Sequence, residues 1–224
     1  MIYKYDTHVH TAETSPCGMV RARDLVRLYK NAGFSGIVIT DHYYSGFFEN
    51  LSRITWKEKI EEYLKGYKIA AKEGGKIGLK VILGLELRFL ESFNDYLIYG
   101  ITEDFLFEAG ELFSLTLKEF RKLADKEEIL IYQAHPFRGI TDRFEPVLLD
   151  GIEVYNGHPY QMNRNDLAYE YAKINNLKMI SGSDFHEVEA LGRGGILTDT
   201  EVNNYIEFAD MLRYNESIQL IRHN

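Results

Sequence analysis

Near the start of the chain stands Asp6-Thr7-His8-Val9-His10-Thr11, in which two histidines one residue apart form a candidate pair of metal ligands. The preceding Ile2-Tyr3-Lys4-Tyr5 alternates like a strand, and continuing it would place Asp6, His8 and His10 on one face. Two residues of strand rise about 6.6 Å, short enough for two leaning imidazoles to meet on one ion. Alone, such a pair is more often two surface or core histidines. Further metal-binding residue types recur downstream, however: His42, Glu86, His135, Asp184 and His186. Imidazole nitrogens and carboxylate oxygens suit Zn²⁺, Mn²⁺ or Fe²⁺, not a thiolate structural site. The set exceeds the three protein ligands that one catalytic ion needs, so two or three ions with a bridging carboxylate fit it better. Such clusters orient a phosphate, bring the pKa of a bound water toward neutrality and stabilise entering and leaving oxygens.

These residues need elements to position them. Helical spacing of apolar residues marks 20–32 (Leu25, Val26, Leu28, Tyr29, stopped by Gly33), 56–74, 117–126, 163–175 and 202–214. Short apolar, β-branched runs mark strands at 36–40, 79–83, 96–101, 129–132, 151–155, 178–181, 195–197 and 218–221. The alternation predicts an α/β fold with a parallel sheet. His42, Glu86, His135, Asn156, Asp184 and His186 all fall at or just past a strand's carboxyl end, the edge where such folds assemble their sites. His158 falls in a loop and His223 in the tail.

A length of 224 residues is read as one domain, 1–224. The 34 acidic and 26 basic residues give a net charge of −8, which argues against a nucleic-acid-coating surface but not against a nucleotide held through metal ions. Cys17 is the only cysteine, so no internal disulfide forms and a reducing compartment is expected. No basic n-region with an apolar h-region opens the chain, and no run approaches the roughly 18 apolar residues of a membrane span. A cytoplasmic location is therefore expected. There is no G-x-S-x-G elbow, Walker A motif or G-x-G-x-x-G loop.

Asp-Thr-His-Val-His-Thr at 6–11, Thr40-Asp41-His42, Gly84-Leu85-Glu86, Ala134-His135-Pro136 and Gly182-Ser183-Asp184-Phe185-His186 resemble, in order and spacing, the motifs of the polymerase and histidinol phosphatase (PHP) family. The resemblance spans nearly the whole chain. It implies a distorted (β/α)7 TIM-like barrel with a trinuclear metal site at the carboxyl face of the strands. The activity it implies is phosphoester hydrolysis by a metal-bound hydroxide. His8 and His10 would hold the first ion with Asp184, Glu86 would bridge the first and second, His135 would complete the second, and His42 and His186 would hold the third. Family members often carry a histidine before the strand that ends in a Gly-rich turn; aligning on Tyr99-Gly100 puts Asp95 there as a ligand. The first motif usually continues to an Asp or His, and here Glu13 is the nearest carboxylate and the candidate third-ion ligand. A solvated loop glutamate is the alternative, with Cys17 a weaker ligand. Catalytic roles would fall to His8, His10, Glu86, Asp184 and His186.

Arg138 and Arg193 are candidates to grip phosphate oxygens bidentately. Strict alternation puts Glu153 and Asn156 on opposite faces of one strand, favouring Asn156 for the site. Asp6 would orient the imidazoles or cap the barrel floor, and Asp41 would ligate directly or support a ligand. The expected function is a metal-dependent phosphoesterase acting on a small phosphomonoester or a nucleotide phosphate. Histidinol phosphate and a short oligonucleotide end are further options. Two alternatives are a metal-binding PHP module without activity and an amidohydrolase-like barrel, which would want a strand-end lysine absent here.

Overall fold

In a computed structural model, residues 1–139 and 145–223 are described. The strands are β1 (Tyr3–Val9), β2 (Gly36–Ile39), β3 (His42–Tyr43), β4 (Lys80–Leu83), β5 (Leu85–Arg88), β6 (Asp95–Tyr99), β7 (Leu130–Gln133), β8 (Gly151–Asn156), β9 (Lys178–Gly182), β10 (Gly194–Thr198) and β11 (Gln219–Arg222). The helices are α1 (Ala22–Asn31), α2 (Ser45–Glu49), α3 (Trp56–Tyr63), α4 (Lys65–Ile77), α5 (Glu103–Glu108), α6 (Leu117–Lys126), α7 (Asn165–Ile174) and α8 (Tyr205–Tyr214). The expected α/β class holds. The expected parallel sheet holds in part: β1–β2, β2–β4, β3–β5, β7–β8 and β8–β9 pair parallel.

Among the described residues the ladders form two mixed sheets, ordered β11-β10-β1-β2-β4 and β3-β5-β6-β7-β8-β9, and not one closed ring. β5–β6 and β6–β7 pair antiparallel, as do β1–β10 and β10–β11. The link from Arg88 to Asp95 holds no helix, and a parallel crossover needs a dozen or more residues, so β5 and β6 must form a hairpin. The sheets adjoin at two corners. Thr40–Asp41 and Gly84 carry β2 into β3 and β4 into β5. At the other corner Val9 bridges Phe185, with His10 N–H donating to Phe185 O at 3.0 Å and Phe185 N–H to His8 O at 3.2 Å.

Helices cover the sheets through their apolar stripes. Leu25, Val26 and Tyr29 of α1 pack with Ala70 of α4 onto Ile37 and Ile39 of β2. Burying each such side chain contributes about 1.5–3 kcal/mol. Tyr5, Tyr99, Tyr132 and Phe208 fill a second core, and Ile60, Tyr63, Ile98 and Phe120 belong to a third. The single helix expected over 56–74 is broken at Leu64 (ψ −2°) into α3 and α4. The Thr14 hydroxyl occupies the break, donating to Tyr63 O at 3.0 Å and accepting from Gly66 N–H at 3.2 Å. A side chain inserted into the helical ladder is a sufficient cause. Here it ties the loop after β1 to the helical layer.

Candidate metal centre

Most of the site is delivered by strand ends, and Glu86 comes from within β5. His8 and His10, both fully buried, come from the end of β1. His42 begins β3 and pairs directly with Glu86 of β5; His135 follows β7, and Asp184 and His186 follow β9. β1 loses register against β2 between Asp6 and Val9, which breaks the alternation expected there. His8 and His10 reach the cluster, but Asp6 accepts from the Tyr29 hydroxyl at 2.7 Å and from Ser183 N–H at 3.0 Å. It also accepts from His8 N–H at 3.2 Å, so Asp6 braces the backbone of both His8 and Ser183 and belongs to none of the donor groups. His135 and Asp184 hold φ values of 25° and 51°. Residues with side chains hold left-handed values such as these at a cost of about 1–3 kcal/mol each, and cluster at functional sites.

Glu86 lies at the middle. Its Oε1 is 2.8 Å from His135 Nε2 and 3.5 Å from His8 Nε2; its Oε2 is 2.7 Å from His42 Nδ1 and 3.4 Å from His10 Nε2. Asp184 Oδ1 stands 3.3 Å from the Nε2 atoms of both His8 and His10. The donors form three groups, each within 4.8 Å: His8, His10 and Asp184; His8, Glu86 and His135; His10, His42 and His186. His8 and His10 each belong to two groups, yet one Nε2 lone pair serves one ion at a time. Both Nε2 atoms are buried without a hydrogen-bond partner. Leaving a buried polar atom unsatisfied costs roughly 1–3 kcal/mol, so this donor set fits a divalent cation.

Charge in the cluster is mutually compensating. Burial would raise Glu86 and Asp184. For Glu86 the His42 and His8 charges win, and for Asp184 those of His8 and Arg138, holding both carboxyls well below the usual range. Burial would lower His8 and His42, but Asp184, Glu153 and Glu86 raise His8, and Glu86 raises His42, well above the ordinary imidazole value. His10 goes the other way: burial and then the neighbouring His42 and His186 push it well below.

The structure does not bring every expected residue into the cluster. Glu13 accepts from Ala22 N–H at 2.8 Å, at the first residue of α1, where a carboxylate complements the helix dipole. Asp95 has both oxygens engaged by Arg88, at 2.7 and 2.6 Å, and its nearer oxygen is 3.9 Å from His135 Nε2. Neither belongs to a donor group. Arg193 donates to the Gly157 carbonyl at 3.0 Å. Arg138 does line the cavity, and donates to Asp184 Oδ2 at 2.7 Å, Asn156 Oδ1 at 2.8 Å and Asn163 Oδ1 at 2.7 Å. Asp41 takes 2.7 Å bonds from Thr11 N–H, Thr11 Oγ1 and Ser15 Oγ, a support role.

Several residues near the cluster carry no sequence motif. Two adjoining cavities of about 260 and 320 Å³ open over the cluster, sharing Cys17, His42, Arg88 and Asp95. His158 lines the larger one and is held at about 4, mainly by burial, hence neutral. Burial would raise the Cys17 thiol, but hydrogen bonds to His186 and His42 bring it down to about 7. Glu153, set aside by the alternation argument, is wholly buried against His8. β8 shifts register against β9 between Glu153 and Tyr155, so Glu153 and Asn156 face the same side after all.

Residues 6–189 match the model of the PHP domain, and residues 163–216 that of a PHP-associated segment; the chain belongs to the PHP family. Solved structures share the fold. A two-domain protein of Bacteroides vulgatus containing a predicted PHP-like metal-dependent phosphoesterase superposes with a TM-score of 0.70 at 19% identity. That match covers 100% of this chain and 65% of the other, so the chain spans under two thirds of that neighbour's length. PsfC of Pseudomonas syringae follows at 0.69 and 13% identity, covering 99% and 92%. The lesion-specific endonuclease PfuEndoQ of Pyrococcus furiosus gives 0.62 at 16% identity, covering 98% and 58%. No curated protein matches the chain. Among the described residues no helix is long and apolar enough to cross a membrane.

Proposed function

We propose that this chain is a metal-dependent phosphoesterase that hydrolyses a small phosphomonoester or a nucleotide phosphate. We further take its two adjoining sheets as a distorted (β/α)7 TIM-like barrel forming one PHP-type domain, in a reducing cytoplasmic setting. One observation carries the functional reading: three overlapping donor groups meet around Glu86, with two buried imidazole Nε2 atoms unpartnered beneath an open cavity. His8, His10 and Asp184 would hold one ion, Glu86 and His135 a second, and His42 and His186 a third, with Zn²⁺, Mn²⁺ or Fe²⁺ suited to the donors. Bound divalent ions supply Lewis-acid charge and activate water.

The chain's own residues do the rest. Arg138 holds Asp184 Oδ2, which leaves Oδ1 directed at His8 and His10. The same guanidinium lines the cavity beside Arg88, giving it two cations matched to phosphate oxygens. Neutral His158 accepts from Tyr160 N–H through Nδ1 at 3.3 Å, which leaves its Nε2–H as a donor for a substrate oxygen. A cavity of about 320 Å³ suits a small ligand. Likeness to a protein described as an endonuclease makes phosphodiesters the second class to try.

The test is a panel of phosphomonoesters, histidinol phosphate and nucleotides among them, and short oligonucleotides, offered to protein loaded with each metal. Turnover that His8→Ala and Asp184→Ala abolish is expected. Turnover surviving either change, or equal rates with and without metal, would overturn the proposal.

A further inference from the structure

Glu153 satisfies three donors at once. Its Oε1 lies 2.9 Å from His8 Nδ1, and its Oε2 accepts from His135 N–H at 2.9 Å and from the Asn156 side-chain amide at 2.9 Å. Its side chain and that of His8 are wholly buried. There is no slack around the pair: a Cβ at Gly182 would sit 2.4 Å from His8 Cβ and 2.8 Å from Glu153 Oε1. Asn156 in turn donates to Asp184 Oδ2 at 3.2 Å, so Glu153 connects to residues of two of the donor groups.

We propose that Glu153 is the positioning residue of the metal centre: it holds His8 in the tautomer protonated at Nδ1, so that the Nε2 lone pair faces Glu86 and Asp184, and it pins His135 through its backbone. A carboxylate only accepts, so a bond from Oε1 to Nδ1 requires the proton on Nδ1. With Nδ1 so protonated, any proton on Nε2 is the one an ion displaces, and the lone pair then freed lies on the atom found buried and unpartnered between the two site carboxylates. Partners of this kind orient a ligating imidazole and raise its basicity, and losing one typically weakens metal binding 10–100-fold. The bond to His135 N–H matters separately, because that residue sits at φ 25° and needs its surroundings to hold it there.

An amide cannot do this work. Glu153 must accept on both oxygens, and Gln accepts on only one. In Glu153→Gln the NH2 would face either His8 Nδ1, forcing the proton onto Nε2, or the two N–H donors at Oε2. Glu153→Asp keeps two acceptors and gives the partial rescue.

The inference rests on the proposed metal site, and the experiment separates the two. Zn²⁺ affinity is measured by chelator competition for wild type, E153Q, E153D, H8A and the double variant E153Q/H8A, with metal-free melting curves as the control for folding. Expected are a loss of about 10–100-fold in E153Q, a smaller loss in E153D, and little further loss when E153Q is added to H8A. Equal losses in the wild-type and H8A backgrounds would overturn the role through His8, as would wild-type affinity in E153Q. If E153Q fails to fold, long-range ¹H–¹⁵N spectra of zinc-loaded wild type decide. A proton on His8 Nδ1 supports the inference, and one on Nε2 refutes it. Failure of the wild type to bind Zn²⁺, Mn²⁺ or Fe²⁺ at all would instead sink the metal site itself.

Discussion

Gly66 touches no candidate ligand, yet it should control two of them. It is the second residue of α4, and a Cβ built on it would lie 1.9 Å from Thr11 Oγ1, 2.9 Å from Thr11 Cβ and 3.0 Å from Asp41 Oδ2. Turning the Thr11 hydroxyl away cannot relieve the contact with its own Cβ, so the loop itself must move. Thr11 donates twice to Asp41 at 2.7 Å, Asp41 also takes the Ser15 hydroxyl at 2.7 Å, and Ser15 Oγ meets His10 Nδ1 and His42 N–H at 3.1 Å each. Overpacking costs about 1–3 kcal/mol, and losing a hydrogen bond to a carboxylate about 1.5–3 kcal/mol. Against this, Gly→Ala in a helix gains at most about 1 kcal/mol. Gly66→Ala should therefore destabilise by about 2–4 kcal/mol, lowering Tm by roughly 5–15 °C for a chain of this size, and weaken metal binding. Gly75, in the same helix, has nothing within 4 Å of its added Cβ, so Gly75→Ala should raise Tm by a few degrees. Melting curves of the two variants check this pair. A G66A variant that melts with the wild type, or a G75A variant that falls as far as G66A, would refute the reasoning.

Three further outcomes are expected. Glu13→Gln should lose about 0.3–1 kcal/mol by removing a charge at the start of α1, and like Asp95→Asn should leave the metal content found by elemental analysis unchanged; a lost ion in either would restore that residue as a ligand. Raised imidazoles at His8 and His42 mean that the metal-free protein holds protons there which an ion must displace. Metal affinity should accordingly rise with pH through the ordinary imidazole value and beyond it, releasing about one proton per displaced imidazole, as calorimetry in buffers of different ionisation enthalpy would show; affinity independent of pH would contradict it. The Cys17 thiol, held at about 7 beside His42 and His186, should react readily with iodoacetamide in metal-free protein and slowly once metal is bound; equal rates would place it outside the centre.

How far the sequence reached depended on the kind of physics involved. His42, Glu86, His135, Asp184 and His186 were legible because metal-binding residue types at successive strand ends are an unusual pattern, and the structure gathers all five with His8 and His10. Two irregularities in strand pairing escaped it. Near Asp6 the lost register separates a residue that alternation had grouped with His8; at Glu153 it brings in one that alternation had excluded. Such bulges depend on pairing with a partner strand and leave no local mark. Glu13 and Asp95 were chosen as the nearest carboxylates to expected positions. The competition from Ala22 N–H and from Arg88 exists only in three dimensions. Sheet direction was legible only in part: no strand was expected at β5, so its short link to β6 stayed hidden, and apolar runs look alike in parallel and antiparallel strands.

The central claim, that the cluster around Glu86 binds divalent ions which enable phosphoester hydrolysis, is tested most directly by one titration. Metal-free protein is loaded stepwise with Mn²⁺, Zn²⁺ or Fe²⁺ while bound ions per chain and phosphoester cleavage are followed together. Hydrolysis absent at the start, rising with bound ions, and missing from Asp184→Ala at every loading is the predicted result. Hydrolysis that ignores the ions bound, or a chain that binds ions fully and cleaves no phosphoester in the panel, would contradict it.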